Sequence, residues 1–205
     1  MIIKNVEILL YYKNYYKLLL FNIVFMNNKD DNTVIKEILK GNKAEFGYLV
    51  VKYQKPVYNY AVRMVKDIED AKDLTQNVFI KVYDKLSTFN SNYKFFSWIY
   101  RIAVNETINF LNARKVHEDI ADFGLSAKLK DKTADSQELS AMLIEAMQFI
   151  QVQERTLITL KYYQGFAYSE IAEIMSIPET KVKSGLYSAR QSLKNVLINK
   201  GYFDV

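Results

Sequence analysis

Arg101, Asn105, Asn109 and Asn112 stand at i, i+4, i+8 and i+11, so a helix through them carries one polar stripe. Arginine and asparagine are the side chains best shaped for phosphate oxygens and base edges. Just upstream, Tyr93, Lys94, Phe95, Phe96 and Trp98 interleave a cation with aromatic rings. That mixture suits unstacked bases, because every base has a π-face and every nucleotide a charge. Taken alone, the same residues also fit a plainer reading, in which the aromatics are core and the asparagines a solvated face. The elements that carry them decide between the two.

A helix over Asn92–Arg114 turns Trp98, Ile99, Ile102, Ala103 and Phe110 to one apolar arc, opposite the stripe. The helix before it, Asp70–Leu86, steps Leu74, Val78, Val82 and Leu86 by four, with Ala71 and Phe79 beside them. Its other side shows Asp73, Gln76, Asn77, Ile80, Tyr83 and Asp84, an isoleucine and a tyrosine among carboxylates and amides. That is the composition of a protein-docking patch, although a single exposed apolar residue is ordinary. Asp67 to Asp70 is a polar turn suited to capping this helix. Further upstream, Val34, Ile35, Ile38 and Leu39 mark a short helix ended by Gly41, and Asn42 with Glu45 reads as a capping box. The helix it opens buries Phe46, Leu49, Val50 and Tyr53, and Pro56 starts or kinks the next segment, with Val57, Tyr60, Ala61 and Met64 inward.

Composition sets the limits. The 205 residues carry 28 Lys and Arg against 23 acidic residues, a net charge of +5, which permits a polyanionic partner without requiring one. Cysteine is absent, which excludes disulfides, zinc ribbons and thiol chemistry. Six glycines and two prolines are few for a sheet-rich fold with many tight turns, so the expectation is an all-α protein. There is no phosphate loop, H-E-x-x-H or Gly-rich fingerprint, and the single histidine, His117, lies in a polar segment. These features point away from an enzyme, a metal site and a cofactor. The abundance of Asn, Lys, Ile and Tyr is also what AT-rich codons write, so no lone Lys or Asn carries weight.

Residues 1–25 are apolar and aromatic but interrupted by Lys4, Glu7, Lys13 and Lys17. The uncharged run from Leu18 to Asn28 is about half of the ~20 residues a spanning helix needs. No small-residue cleavage site follows it, and an interfacial helix is the remaining membrane option. Capped, periodic text begins only near Met26, which is the expected true start, with 1–25 as an extension. The text from 26 to 113 reads as one small helical domain. After Arg114 periodicity fades, and 114–138, mixing both charges with Gly124 and small polar residues, reads as a linker. A second helical domain is expected over 139–200.

Within that second domain, Ile171, Ala172 and Met175 face inward on a short helix, Ser176 to Pro178 breaks it, and Val182 and Leu186 restart the period. Two short helices with a tight turn and a small Ala against the second helix are helix-turn-helix spacing. From Thr180 to Lys200 the charged residues are Lys181, Lys183, Arg190, Lys194 and Lys200, with no acid among them, which suits phosphate contact.

The two halves together resemble the extracytoplasmic-function group of bacterial RNA polymerase sigma factors, within the sigma-70 family. Residues 70–111, DAKDLTQNVFIKVYDKLSTFNSNYKFFSWIYRIAVNETINFL, are similar to the family's second conserved region, with D-A-x-D-L-x-Q-x-x-F and F-x-x-W-[IL]-Y-R-I-A-x-N. Residues 154–193 are similar to the fourth, with E-I-A, I-P and V-K-S…A-R. The resemblance implies a dissociable subunit that brings core polymerase to a promoter and melts it, without covalent chemistry, cofactor or small-molecule substrate. It implies that Asp73, Gln76, Asn77 and Ile80 dock on the clamp helices of the polymerase largest subunits, with the flap as a further contact. It places Asn90, Lys94, Trp98, Arg101, Asn105 and Asn109 on the −10 element, where a base is flipped out. It places Thr180, Lys181, Lys183, Ser184, Tyr187 and Arg190 on the −35 element, in the major groove. An anti-sigma factor is an expected partner and the cytoplasm the expected location. The chain departs from the family at Ser176, where Gly is usual, at Thr180-Lys181, where Gly-Thr is usual, and at Gly185 and Ser188, where Arg is usual. These departures thin the expected −35 contacts. The competing function is a helix-turn-helix regulator that binds DNA but not polymerase, which would need neither the Asp70–Leu86 patch nor the aromatic loop.

Overall fold

A computed structural model describes residues 29–65, 67–118 and 142–202. The expectations for residues 1–25, for a start at Met26 and for most of the linker lie outside these. Among the described residues every regular element is helical: α1 (Asp31–Leu39), α2 (Phe46–Met64), α3 (Ile68–Lys85), α4 (Phe95–Glu118), a helical turn over 142–147, α5 (Val152–Ile158), α6 (Tyr168–Met175) and α7 (Glu179–Asn199). The chain divides into two compact units between Glu45 and Phe46.

In the first unit, Asp30 caps α1 by accepting from the Thr33 N–H at 3.2 Å, and Val34, Ile35 and Ile38 are buried. Gly41, at φ +109°, ends the helix in a conformation that only glycine adopts cheaply. The capping box expected at Asn42 does not form. Lys43–Glu45 is a 3₁₀ turn, and Glu45 turns its carboxylate to Lys29 at 3.0 Å instead.

In the second unit, α2 runs unbroken through Pro56, which neither starts nor ends a helix. Asp67 caps α3 as expected, accepting from the N–H groups of Glu69 (2.7 Å) and Asp70 (3.0 Å). The four-step ridge Leu74, Val78, Val82 and Leu86 is buried with Ala71 and Phe79. Two ion pairs, Arg114–Asp70 and Lys81–Glu106, tie α3 antiparallel to α4 near either end. α4 starts at Phe95 rather than Asn92 and continues through Glu118, so the segment from 114 to 118, His117 included, is helical backbone rather than linker.

The second core gathers Met147, Ile150, Ile158 and Ala189, with Tyr163, Leu193 and Val196 against it. α5 passes into a π-helical turn, Thr159–Tyr163, before the chain reaches α6. α7 approaches α5 closely at Gly185, where a Cβ would sit 2.6 Å from Leu157 Cδ1. Ser176 takes the left-handed conformation (φ 56°, ψ 43°) after α6, and Pro178 precedes α7.

These C-terminal helices pack on α2 and α4 within the same unit. Phe166 stacks on Phe96 at 4.9 Å and meets Tyr100 edge-on at 4.8 Å. Arg155, on α5 and only 6% exposed, closes the C-terminal end of α2: its Nη1 donates to the Met64 carbonyl at 2.6 Å. The same guanidinium donates to Gln148 Oε1 (2.6 Å) and to the Gln148 carbonyl (3.2 Å). A cation at the last carbonyls of a helix satisfies orphan acceptors and complements the dipole. Burial pushes this guanidinium down to about 10, so it keeps its charge at neutral pH.

Candidate nucleic-acid interface

With the ridge of α3 buried, the opposite side is forced outward. Asp73, Gln76, Asn77, Tyr83 and Asp84 are exposed, and Ile80 is 57% exposed at their centre. Tyr83 is steadied by an edge contact to Phe46 at 4.9 Å. A β-branched apolar side chain standing in water among polar ones costs solvation that a partner would recover.

On α4, Arg101, Asn105, Asn109 and Asn112 are all exposed, so the stripe exists as a surface. Trp98 is half-buried, stacked on Phe95 (5.6 Å, 22°) and edge-on to Phe89 (5.5 Å). Its ring is thus held from behind while one side stays accessible. The turn before α4 is held by Asn90, whose Oδ1 accepts from the Asn92 N–H at 3.0 Å. The reading of the aromatics before the stripe as a base-stacking loop needs correction. Phe95 is 3% exposed against Tyr53 and Phe89, and Phe96 stacks on Tyr53 and Phe166. Phe95 and Phe96 pack toward the core, so among these rings Tyr93 and part of Trp98 keep exposed surface. Lys94 is taken as well: its Nζ lies 2.7 Å from Glu170 Oε1 on α6. The pair moves both groups, the Lys94 ammonium holding Glu170 below the usual carboxylate range with help from the Ala167 N–H, and Glu170 pushing Lys94 up.

On α7, Thr180, Lys181, Lys183, Ser184, Tyr187 and Arg190 are exposed, with Val182, Leu186 and Ala189 buried behind them. Lys183 pairs with Glu179 one turn earlier at 2.7 Å, which raises it. Gly185 belongs to the packing side, against Leu157, so an arginine missing there does not thin this face as the sequence suggested. Three contributors were not singled out from sequence. Arg190 Nη1 donates to the Tyr162 hydroxyl at 2.9 Å, and the Tyr168 ring lies 4.5 Å from Lys161 Nζ and 5.7 Å from Lys183 Nζ. The run of four rings after one cation in Lys161-Tyr-Tyr-Gln-Gly-Phe-Ala-Tyr168 was the available signal.

The Sigma-70 region 2 family model matches residues 49–116, and the Sigma-70, region 4 model matches residues 140–193. The RNA polymerase sigma-H factor of Pseudomonas aeruginosa is 31% identical over 185 residues, covering 84% of this chain and 96% of the relative. The chain belongs to the RNA polymerase sigma factors of the extracytoplasmic-function type. The ECF sigma-E factor of Escherichia coli K12 is 32% identical, covering 80% of this chain and 93% of the relative. SigW of Bacillus subtilis is 30% identical, with 80% and 94% covered. This sigma factor shares its fold with CnrH, solved with the cytosolic domain of CnrY (TM-score 0.63, 20% identity, 82% of this chain and 97% of that one). It shares it also with RpoE of Bartonella quintana, solved with the anti-sigma factor NepR (TM-score 0.62, 22% identity, 75% and 96%). As a sigma factor, the chain directs core RNA polymerase to promoters and initiates transcription there.

Proposed function

We propose that this sigma factor divides its work between two parts, residues 26–113 for polymerase and the −10 element and 139–200 for the −35 element. The α3 face formed by Asp73, Gln76, Asn77 and Ile80 docks on the polymerase clamp helices. Trp98, Arg101, Asn105 and Asn109, with Asn90 and Lys94 at the turn, open and hold the −10 strand. Thr180, Lys181, Lys183, Ser184, Tyr187 and Arg190 read the −35 duplex. No covalent step is needed, because binding energy spent on unstacking a few base pairs suffices. A factor working on polymerase at DNA works in the cytoplasm, and an anti-sigma factor would restrain it by covering these faces.

The observation that carries this reading is Ile80, 57% exposed at the centre of a polar face on a helix whose apolar ridge of Leu74, Val78 and Val82 is buried. A protein that only bound DNA would have no use for it. Ile80→Asp should abolish co-elution with core polymerase while circular dichroism shows unchanged helix content. Co-elution equal to the unsubstituted chain would remove the docking assignment.

A further inference from the structure

Every residue from Arg155 to Leu160 is buried, and the chain emerges from the core through the π-helical turn Thr159–Tyr163. That turn is closed by the Gln164 N–H on the Thr159 carbonyl and the Phe166 N–H on the Leu160 carbonyl, both at 3.1 Å. A π turn takes in one residue more than an α turn, which re-aims the side chains that follow, and such turns cluster at functional positions. The exposed side chain within this one is Tyr162, with 55% of its surface in water. Its hydroxyl accepts from Arg190 Nη1 at 2.9 Å, across 28 residues of sequence. Among the described residues no other hydrogen bond, ion pair or ring contact holds it.

Arg190 differs from its neighbouring cations in the partner it has. Lys183 meets Glu179 at 2.7 Å, and Lys200, just past α7, meets Glu145 at 2.8 Å. Among the described residues Arg190 has no carboxylate within ion-pair distance, only the phenol. The choice of partner matters for an anion. A carboxylate would neutralise the guanidinium and repel phosphate, whereas a neutral hydroxyl fixes its direction and leaves its charge. One N–H is spent on Tyr162, and the rest of the fork stays available for a bidentate grip on phosphate oxygens. The hydroxyl accepts through a lone pair, so its own proton has no acceptor among the described residues. Accepting from a cation polarises that O–H and strengthens it as a donor. Tyr187, 60% exposed, stands one turn before Arg190 on the same face of α7.

We infer that Tyr162 and Arg190 form one clamp for a single backbone phosphate of the −35 duplex, in which Tyr162 positions the guanidinium and donates its own proton to the same anion. The clamp rests on the assignment of Arg190 to the −35 element proposed above, and it adds a residue from outside the helix-turn-helix. The π turn is the device that brings it there, because it carries Tyr162 out of the core beside α7. A phosphate contact fixes register and orientation without reading a base, so the clamp serves affinity rather than sequence. Tyr162 adds no charge, so its share of the affinity carries no counterion release, unlike that of Arg190.

The test uses holoenzyme assembled from core polymerase and the full chain, on a promoter from which the chain supports run-off transcription. Tyr162→Phe keeps the exposed ring and removes only the hydroxyl. It should weaken promoter binding about tenfold, the lower end for a hydrogen bond to a charged group, with the salt slope unchanged. Arg190→Ala should weaken binding further and lower the slope by about one unit. In the Arg190→Ala background, Tyr162→Phe should add less than about twofold, because the two side chains act on one phosphate. Replacing the −35 phosphates one at a time by neutral methylphosphonate should find one position that weakens the unsubstituted holoenzyme and not the double variant. Unchanged binding by Tyr162→Phe beside an impaired Arg190→Ala would overturn the clamp. So would a tenfold loss that persists in the Arg190→Ala background, or the lack of any such phosphate. Arg190→Ala binding like the unsubstituted chain, with its slope intact, would instead remove the −35 assignment of Arg190, and the clamp with it.

Discussion

Lys94 in region 2 and Lys183 in region 4 are both assigned to promoter phosphates, and each is held by a glutamate, yet in different ways. Lys183 meets Glu179 on its own helix, one turn away, so the pair exists wherever α7 exists. Lys94 meets Glu170 across 76 residues of sequence, so that pair exists only while region 4 lies on α4. The local pair tunes a surface, whereas the long-range pair reports an arrangement. Exposed pairs are worth little in stability, so the packing of the two regions must be held by something else. Arg155 is the candidate, a buried cation from α5 on the carbonyl end of α2.

Replacing Arg155 therefore gives the largest expected effect. Arg155→Ala removes charged hydrogen bonds from buried acceptors and leaves a void, costing about 2–4 kcal/mol in urea denaturation. Lys94→Ala should leave the urea midpoint essentially unchanged, because an exposed pair contributes little. Equal losses would mean that the rim pair, not the buried cation, holds the regions together.

Function on α4 comes next. Trp98→Ala and Asn105→Ala should each retain core binding and lose open-complex formation on duplex promoter. A pre-melted −10 bubble should restore Trp98→Ala more than Asn105→Ala if, as proposed, the ring assists melting and the amide reads the exposed strand. Full activity of both on duplex DNA would return the stripe to a solvated face.

The two lysines can be compared directly by the salt dependence of promoter binding by the free chain. Lys183→Ala should lower the slope by about one unit, and leaves Glu179 unpaired beside the DNA. Lys94→Ala should change it less, because Glu170, anchored by the Ala167 N–H at 2.9 Å and less exposed than Glu179, holds its lysine more firmly than Glu179 holds Lys183. Reversed slopes would mean that the Lys94–Glu170 pair is open in the free chain.

The smallest effect lies in the helix-turn-helix turn. Ser176 is the non-glycine residue at positive φ among those described, a conformation costing about 1 kcal/mol for a residue with a Cβ. Ser176→Gly should raise stability by up to about that amount with DNA binding unchanged. A loss of stability would show that the serine side chain compensates its backbone.

The sequence by itself determined the helices, the inward ridge of α3, its outward patch and the exposed faces of α4 and α7. All of these follow from period and capping, which are local properties of the chain. It could also place Asp67 as a cap, because a cap is made with the next few residues. It could not decide Asn42 and Glu45, where Lys29, distant in sequence, wins the carboxylate. Nor could it tell a base-stacking ring from a core ring among Phe95, Phe96 and Trp98. Those side chains are chemically alike, and only the packing of Tyr53, Phe89 and Phe166 around them separates them. Gly185 shows the same limit: the pattern marks a missing cation, while the fold shows a contact with Leu157 that needs the smallest side chain. The burial of Arg155 and the capture of Lys94 depend on contacts between residues far apart in the chain, which no local period encodes.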